Sequence, residues 1–302
     1  MKAMKEEIEQ LKKEKNAVIL AHYYVPKEVQ EIADFVGDSY YLAKKARETE
    51  ADIIVFAGVS FMGESAKILN PTKKVLLPDA EADCAMAHMA SAKKVQEMRE
   101  KYEDLAVVCY INSTAALKTV SDVCVTSSNA VKIVKALPNK NIFFIPDENL
   151  GSYVAKQVPE KNILLNDGYC PVHKKITVET VRQAKEKYPQ AEFLAHPECT
   201  EEILAEADFI GSTSDIIGYA EKSSKQEFLI GTEEGVFAEL MKKCPDKKFY
   251  SVMQGQCCAD MKKVTLEKVR DCLKEEKYEV EITEDTREKA QKALDKMLEL
   301  AK

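Results

Sequence analysis

The chain has no hydrophobic run approaching the ~18 residues that a membrane-spanning helix needs; "IIVFAGV" at 53–59 is typical of its longest. It has no excess of basic charge. With 44 Lys and Arg against 51 Asp and Glu, the formal net charge is −7. That argues against nucleic acid as a partner, because phosphate contacts need a basic face. Small anionic substrates are not excluded, since they need only a local positive field. It has no C-x-x-C pair, the spacing shared by zinc ribbons, thioredoxin-like redox motifs and ferredoxin-type runs. The start, "MKAMKEEIEQLKKEKN", is charged and helix-periodic and lacks the apolar core of a signal peptide. These absences predict a cytoplasmic protein with neither membrane nor nucleic acid among its partners.

What is present is ordinary for a globular protein: 45% hydrophobic and 31% charged residues. A length of 302 residues holds two or three compact units. Nine cysteines in a cytoplasmic chain do not read as a disulfide framework. Most read as small buried hydrophobes, Cys109 in "VVCYI", Cys124 in "DVCVT" and Cys272 among them.

A rhythm runs three times along the chain. The buried-strand patterns "NAVILAHYY" (16–24), "LAVVCYINS" (105–113) and "AEFLAHPE" (191–198) each end in polar groups. Each leads into a helical pattern and then a short apolar piece ending in hydroxyls or a carboxylate: "VGDS", "CVTSS" and "FIGSTS". After a second helix come "DIIVFAGV", "NIFFIPD" and "EFLIGT". A further helix leads to a strand running into cysteine: "VLLPDAEADC", "ILLNDGYC" and "FYSVMQGQCC". Strands alternating with helices over short loops predict an α/β fold with parallel sheets. The expected organisation is an N-terminal helix (1–15), three similar three-layer α/β/α domains (16–103, 104–190 and 191–279) and a C-terminal helix (280–302).

In open parallel sheets, ligands sit at the carboxyl ends of the strands. If the three units surround a rough threefold axis with those ends inward, their loops converge on one cavity at the junction. Cys84, Cys170 and Cys258 would then meet there, with His22, Tyr24, Tyr110, Asn112, His196 and Glu198. His22 lies 62 residues before Cys84, Asn112 58 before Cys170, and His196 62 before Cys258. Ser39, Thr126, Ser127, Ser128, Ser212, Thr213 and Ser214 precede helical patterns, where free N–H groups and the helix dipole favour anions. Three such sites facing one cavity suit a substrate with several carboxylate or phosphate groups. Three converging thiolates suggest a metal centre, either zinc with an open position or an iron–sulfur cluster with one iron lacking a protein ligand.

The motifs "LAHYY", "IADFVGDS", "YINS", "TSSNA", "CPVH", "HPEC" and "GSTS", in this order and spacing, closely resemble the quinolinate synthase family. The similarity covers roughly residues 15 to 300. It implies three α/β domains about a pseudo-threefold axis and condensation of iminoaspartate with dihydroxyacetone phosphate to quinolinate, phosphate and water, on the way to NAD. It implies one [4Fe–4S] cluster per chain, held by Cys84, Cys170 and Cys258, whose open iron acts as Lewis acid in dehydration. It further implies that His22, Tyr24, Ser39, Tyr110, Asn112, Ser127, His173, His196, Glu198, Ser212 and Thr213 line the substrate cavity. Among these, Glu198 is the expected general base; Tyr24 and Tyr110 relay protons, and the histidines and hydroxyls hold carboxylates and phosphate. A contact with an aspartate-oxidising enzyme that supplies iminoaspartate fits the same scheme.

In one respect the chain departs from the family. Some members carry a C-x-x-C-x-x-C run around the third ligand, whereas this chain has "QCCAD". Register with His196 and the alanine that follows select Cys258 as the ligand and Cys257 as a bystander, pointing away if the pair continues a strand. His88 is read as a half-exposed residue on a helix after Cys84, and Cys199 and Cys244 as structural. Two other readings use the same thiols: a zinc-dependent hydrolase, and a non-enzymatic iron–sulfur sensor or small-anion binder.

Overall fold

The computed structural model describes residues 2–302. Its strands are β1 Ala17–His22, β2 Phe35–Gly37, β3 Ile53–Ala57, β4 Lys74–Leu76, β5 Leu105–Tyr110, β6 Val123–Val125, β7 Asn141–Ile145, β8 Asn162–Leu165, β9 Glu192–Ala195, β10 Phe209–Ile210, β11 Glu227–Gly231 and β12 Lys248–Ser251. They form three four-stranded sheets, all parallel, with one order repeated: β2-β1-β3-β4, β6-β5-β7-β8 and β10-β9-β11-β12. The central strands are apolar along most of their length because helices cover both faces; β3 and β5 are buried at every residue.

A repeated clamp sets the start of each sheet. The Asp34 carboxylate accepts from the Ile19 N–H at 2.8 Å, Asp122 from Val107 at 2.7 Å, and Asp208 from Phe193 at 2.7 Å. The N–H of each aspartate returns a bond to the carbonyl of the same partner. The clamp explains why the helices after β1, β5 and β9 are shorter than their sequence pattern. They cover only Lys27–Gln30, Ala115–Thr119 and Glu201–Ala205, since the chain must turn back for the aspartate to reach the neighbouring strand.

The closing strands also stop early. β4, β8 and β12 end several residues before Cys84, Cys170 and Cys258. Loops carry the cysteines onward, and each becomes the N-cap of one helical turn: Ala85–His88, Pro171–Lys174 and Ala259–Lys262. Ten-residue helices Ala92–Lys101, Val178–Lys187 and Leu266–Glu275 follow. The last of these packs against β3 and the N-terminal helix Lys2–Glu14.

The apolar core is divided unequally. One continuous cluster joins the first two sheets and includes Leu294 and Met297 of the C-terminal helix Glu284–Leu300. That helix packs against helices Ser60–Leu69 and Ala115–Thr119 and against β6. The third sheet has separate clusters, one around Leu240 and Phe228, the other around Phe193 and Leu229. Cys109, Cys124, Cys199, Cys244 and Cys272 are buried and free. No helix among the described residues is long and apolar enough to cross a membrane.

Candidate active site

The polar groups after the first strand of each sheet stand in one register. The clamped residues Ile19, Val107 and Phe193 are each followed three positions later by His22, Tyr110 and His196, and five positions later by Tyr24, Asn112 and Glu198. The interval arithmetic had set Asn112 beside the two histidines; strand pairing places Tyr110 there. The interval from Tyr110 to Cys170 is 60 residues rather than 62 because the loop between β8 and Cys170 is shorter than its counterparts.

One cavity collects these groups. The sequence-predicted residues that line it are Cys84, Cys170 and Cys258, then His22, His173 and His196, with Tyr24, Tyr110, Asn112, Glu198, Ser39, Thr126, Ser127 and Thr213. Ser128, Ser212 and Ser214 do not, Ser128 bonding Thr126 and Ser214 bonding Asp38 instead. Ser212 is fully buried as the N-cap of helix Thr213–Lys222. Its hydroxyl donates to the Asp215 carboxylate at 2.6 Å and accepts from the Asp215 N–H at 3.2 Å. It orients Thr213, the next residue, which does reach the cavity.

A hydrogen-bonded chain crosses the site. Tyr110 Oη donates to Glu198 Oε1 at 2.6 Å, and His173 Nδ1 lies 2.8 Å from Glu198 Oε2. His173 Nε2 meets Thr232 Oγ1 at 2.9 Å, Thr232 meets Tyr24 Oη at 2.8 Å, and Tyr24 meets Thr213 Oγ1 at 2.7 Å. Asn112 brings a buried Oδ1 with no protein partner.

Burial decides the charges. It lowers His22 and His196 to about 3, outweighing the pull of the Glu198 charge, so both rings are neutral. Each accepts at Nδ1 from the backbone N–H two residues on, Tyr24 and Glu198 respectively, both at 3.2 Å. That fixes the proton on Nε2, leaving each ring a donor. Burial alone would push the Glu198 carboxyl up. The adjacent His173, with its hydrogen bond and that from Tyr110, holds it below the usual carboxylate value, so it is ionised. Burial, then the Glu198 charge, lifts the Tyr24 and Tyr110 phenols well above their ordinary range. Burial also raises the thiols, Cys84 to about 12.

Sequence reasoning missed Glu233, Asp38 and Asp83, which also line the cavity, and Thr232, the link between His173 and Tyr24. Glu233 is the most connected. Its carboxylate accepts from the backbone N–H of Cys258 at 3.0 Å and of Gly235 at 2.6 Å, and pairs with Lys262 at 2.8 Å. Lys262 also donates to the Tyr24 carbonyl at 2.6 Å. Gln256, 1% exposed, binds the carbonyls of Ile230 and Thr232 and the N–H of Met253. A Cβ on Gly235 would meet Tyr23 O and Tyr24 Cα at 2.6 Å each, so only glycine fits this junction. A signal was present in "GTEEG" (231–235): its acidic residue stands two places beyond β11, as Asp147 does beyond β7.

Those bonds hold the loop bearing the adjacent cysteines. Cys258 lines the cavity and Cys257 does not, but strand alternation is not the reason, because both lie beyond the end of β12. His88 sits on a 3-10 turn rather than an α-helix, exposed, with Nε2 2.7 Å from Asp83 Oδ2.

A pocket that gathers thiols, neutral imidazoles and carboxylates at the ends of parallel strands is the equipment of an enzyme. The family model described as quinolinate synthetase A protein matches residues 6–299. The quinolinate synthase of Caldicellulosiruptor saccharolyticus is 56% identical over 298 residues, 99% of this chain and 98% of the relative. That of Fusobacterium nucleatum subsp. nucleatum is also 56% identical over 298 residues, 99% of each chain. Quinolinate synthase 2 of Methanosarcina acetivorans is 51% identical over 296 residues, 98% of this chain and 95% of the relative. The chain belongs to the quinolinate synthetase A family.

Proposed function

We propose that the protein is a cytoplasmic quinolinate synthase of NAD biosynthesis. It condenses iminoaspartate with dihydroxyacetone phosphate, releasing phosphate and water, and receives iminoaspartate from an aspartate-oxidising enzyme. Its three units (16–103, 104–190 and 191–279) surround a pseudo-threefold axis. The identical sheet orders and repeated aspartate clamps support that arrangement, as does the return of helix Leu266–Glu275 to the first sheet.

The observation that carries the reading is one cavity holding a cysteine from each unit beside the Tyr110–Glu198–His173 network. The donor set fits a [4Fe–4S] cluster better than one zinc ion. Among the described residues, the only metal-ligating group of three within 4.8 Å of one another is Cys170, His173 and Glu198. The three cysteine sulfurs are therefore spread wider than the ~3.8 Å sulfur–sulfur edge of a tetrahedral zinc site with ~2.3 Å bonds. Cys84, Cys170 and Cys258 would hold the cluster, which when bound supplies an open iron acting as Lewis acid toward a departing hydroxyl.

The protein's own groups do the rest. His22 and His196 present neutral Nε2–H donors to substrate carboxylates or a developing enolate oxygen. Ser39 and Thr213, at helix N-termini, with Ser127 and Asn112, bind the anionic ends; Ser212 holds Thr213 in place. With both oxygens occupied, Glu198 is a weak base. A substrate that displaces Tyr110 or His173 restores its basicity, and Glu198 then removes the proton next to the carbonyl. The phenols of Tyr110 and Tyr24 return protons to leaving oxygens, Tyr24 through Thr232 and His173. Anaerobic purification with iron, sulfide and zinc analysis, followed by a quinolinate assay, tests this reading. Cluster and product are expected together; stoichiometric zinc without sulfide would refute the cofactor, and a cluster without quinolinate the activity.

A further inference from the structure

Cys170 Sγ, His173 Nδ1 and Glu198 Oε2 lie within 4.8 Å of one another, in a C-x-x-H spacing joined to a carboxylate from another sheet. We propose that, in the cluster-free enzyme, this trio is a binding site for a single zinc-class divalent cation, distinct from the three-cysteine set and competing with it for Cys170. The inference goes beyond the cofactor reading above and does not require it.

Each ligand is oriented from behind, as ligands of a zinc site are. His173 Nδ1 faces Cys170 Sγ at 3.1 Å and Glu198 Oε2 at 2.8 Å, while Nε2 has Thr232 Oγ1 as partner at 2.9 Å. Glu198 offers Oε2 while Oε1 is anchored by the Tyr110 hydroxyl at 2.6 Å. Cys170 is the N-cap of the turn Pro171–Lys174, which fixes it three residues before His173. His173 and Glu198 are 1% and 4% exposed, so neither needs to be brought in from solvent. One thiolate, one imidazole and one carboxylate with a fourth position open to the cavity is an ordinary zinc donor set. The ligand atoms need to part only slightly, since bonds of ~2.0–2.3 Å to one ion set them roughly 3.3–3.8 Å apart.

The protons balance simply. Cys170 releases its thiol proton to solvent, and His173 moves its proton from Nδ1 to Nε2, where Thr232 accepts it. Binding therefore frees one proton per ion and leaves the bound site with one added positive charge net of thiolate formation. Because Glu198 and His173 are then engaged by the ion, zinc also removes the proton network from use. A cell rich in zinc and poor in iron would hold the enzyme silent in this form.

The test uses cluster-free full-length protein titrated anaerobically with zinc chloride against a chromophoric chelator. One zinc per chain is expected. Cys170→Ser and His173→Ala should each weaken it at least tenfold, whereas Cys84→Ser and Cys258→Ser should change it less than twofold. Cobalt chloride supplies a readout independent of affinity, with a charge-transfer band of one thiolate expected, unaltered in Cys84→Ser. Circular dichroism confirms that each variant is folded. No stoichiometric zinc in the wild type, equal losses in all three cysteine variants, or a three-thiolate cobalt band would overturn the proposal. Failure of zinc-free protein to accept iron and sulfide would instead sink the cluster assignment and leave the zinc site standing.

Discussion

The first two sheets and the third are built to the same order yet held in different ways. β1–β8 share one apolar core, and the C-terminal helix lies across both sheets of that pair. The third sheet has its apolar residues in two clusters separate from that core, one per face; Tyr23 joins one of them, and Ile176, Val181 and Ala184 join the other. Its ties to the others are largely polar and pass through or beside the cavity: Tyr110 to Glu198, His173 to Thr232, Tyr24 to Thr213, Ser214 to Asp38, and Gln30 to the Gly235 carbonyl. Apolar burial is indifferent to small molecules, whereas hydrogen bonds in a cavity compete with whatever binds there. The first two sheets, with helix Leu266–Glu275 packed into their shared core, therefore form a platform, and the third sheet is placed against it largely by bonds that a substrate would rearrange.

The largest expected effect concerns the proposed cluster beside the third sheet. Cys258→Ser should abolish the visible absorbance of the reconstituted cluster, while Cys257→Ser should leave it within a few per cent of wild type. Equal losses would mean that the Glu233 and Gln256 contacts do not select between the neighbours. Next comes the bond joining the second and third units. Glu198→Gln should keep the cluster and reduce kcat about 10²-fold or more, in the range removed with a general base. Near-normal turnover would take Glu198 out of the chemistry.

Stability breaks the comparison in another place. Leu294→Ala, in the core shared by the first two sheets, and Leu240→Ala, in the third unit's own core, each remove a fully buried side chain. Each should cost about 2–5 kcal/mol. The consequences should differ: Leu294→Ala lowers the main calorimetric transition, and Leu240→Ala separates an earlier transition from it. A single transition in both variants would show that the polar contacts couple the third unit as tightly as a core does.

The repeats and the cavity-facing types were legible because they are strand-local: apolar runs of four to six residues ending in His, Tyr, Asn or Glu. The three cysteines were legible because each closes a repeat. What stayed hidden depends on partners far away in the chain. Nothing near Glu233 in sequence announces that its carboxylate will hold the Cys258 N–H, 25 residues on. Thr232 becomes a link only once Tyr24 and His173 arrive from two other units. The Ser212 hydroxyl looked like an anion ligand because N-cap serines and anion-binding serines have the same sequence signature. Only the position of Asp215, which occupies it, tells them apart.

The smallest effect lies at the rim, where helix Leu266–Glu275 returns to the first sheet. Glu276 pairs with Lys15 and Lys74 at 2.5 Å each. Hydrogen bonds from Lys15 and then Lys74 lower its carboxyl from 4.5 to about 2. A carboxylate depressed in the folded state stabilises the fold above its unfolded value and loses that contribution as pH falls through its folded value. The contribution of Glu276 is therefore present above pH 4.5 and disappears toward pH 2. These groups are partly exposed, so the pair belongs with surface ion pairs worth at most about 1 kcal/mol and weakened by salt. Urea midpoints of wild type and Glu276→Gln should differ slightly at pH 6 and converge as pH approaches 2, with 0.5 M salt narrowing the gap at pH 6. A difference that grew on acidification would place the pairing energy elsewhere in this seam.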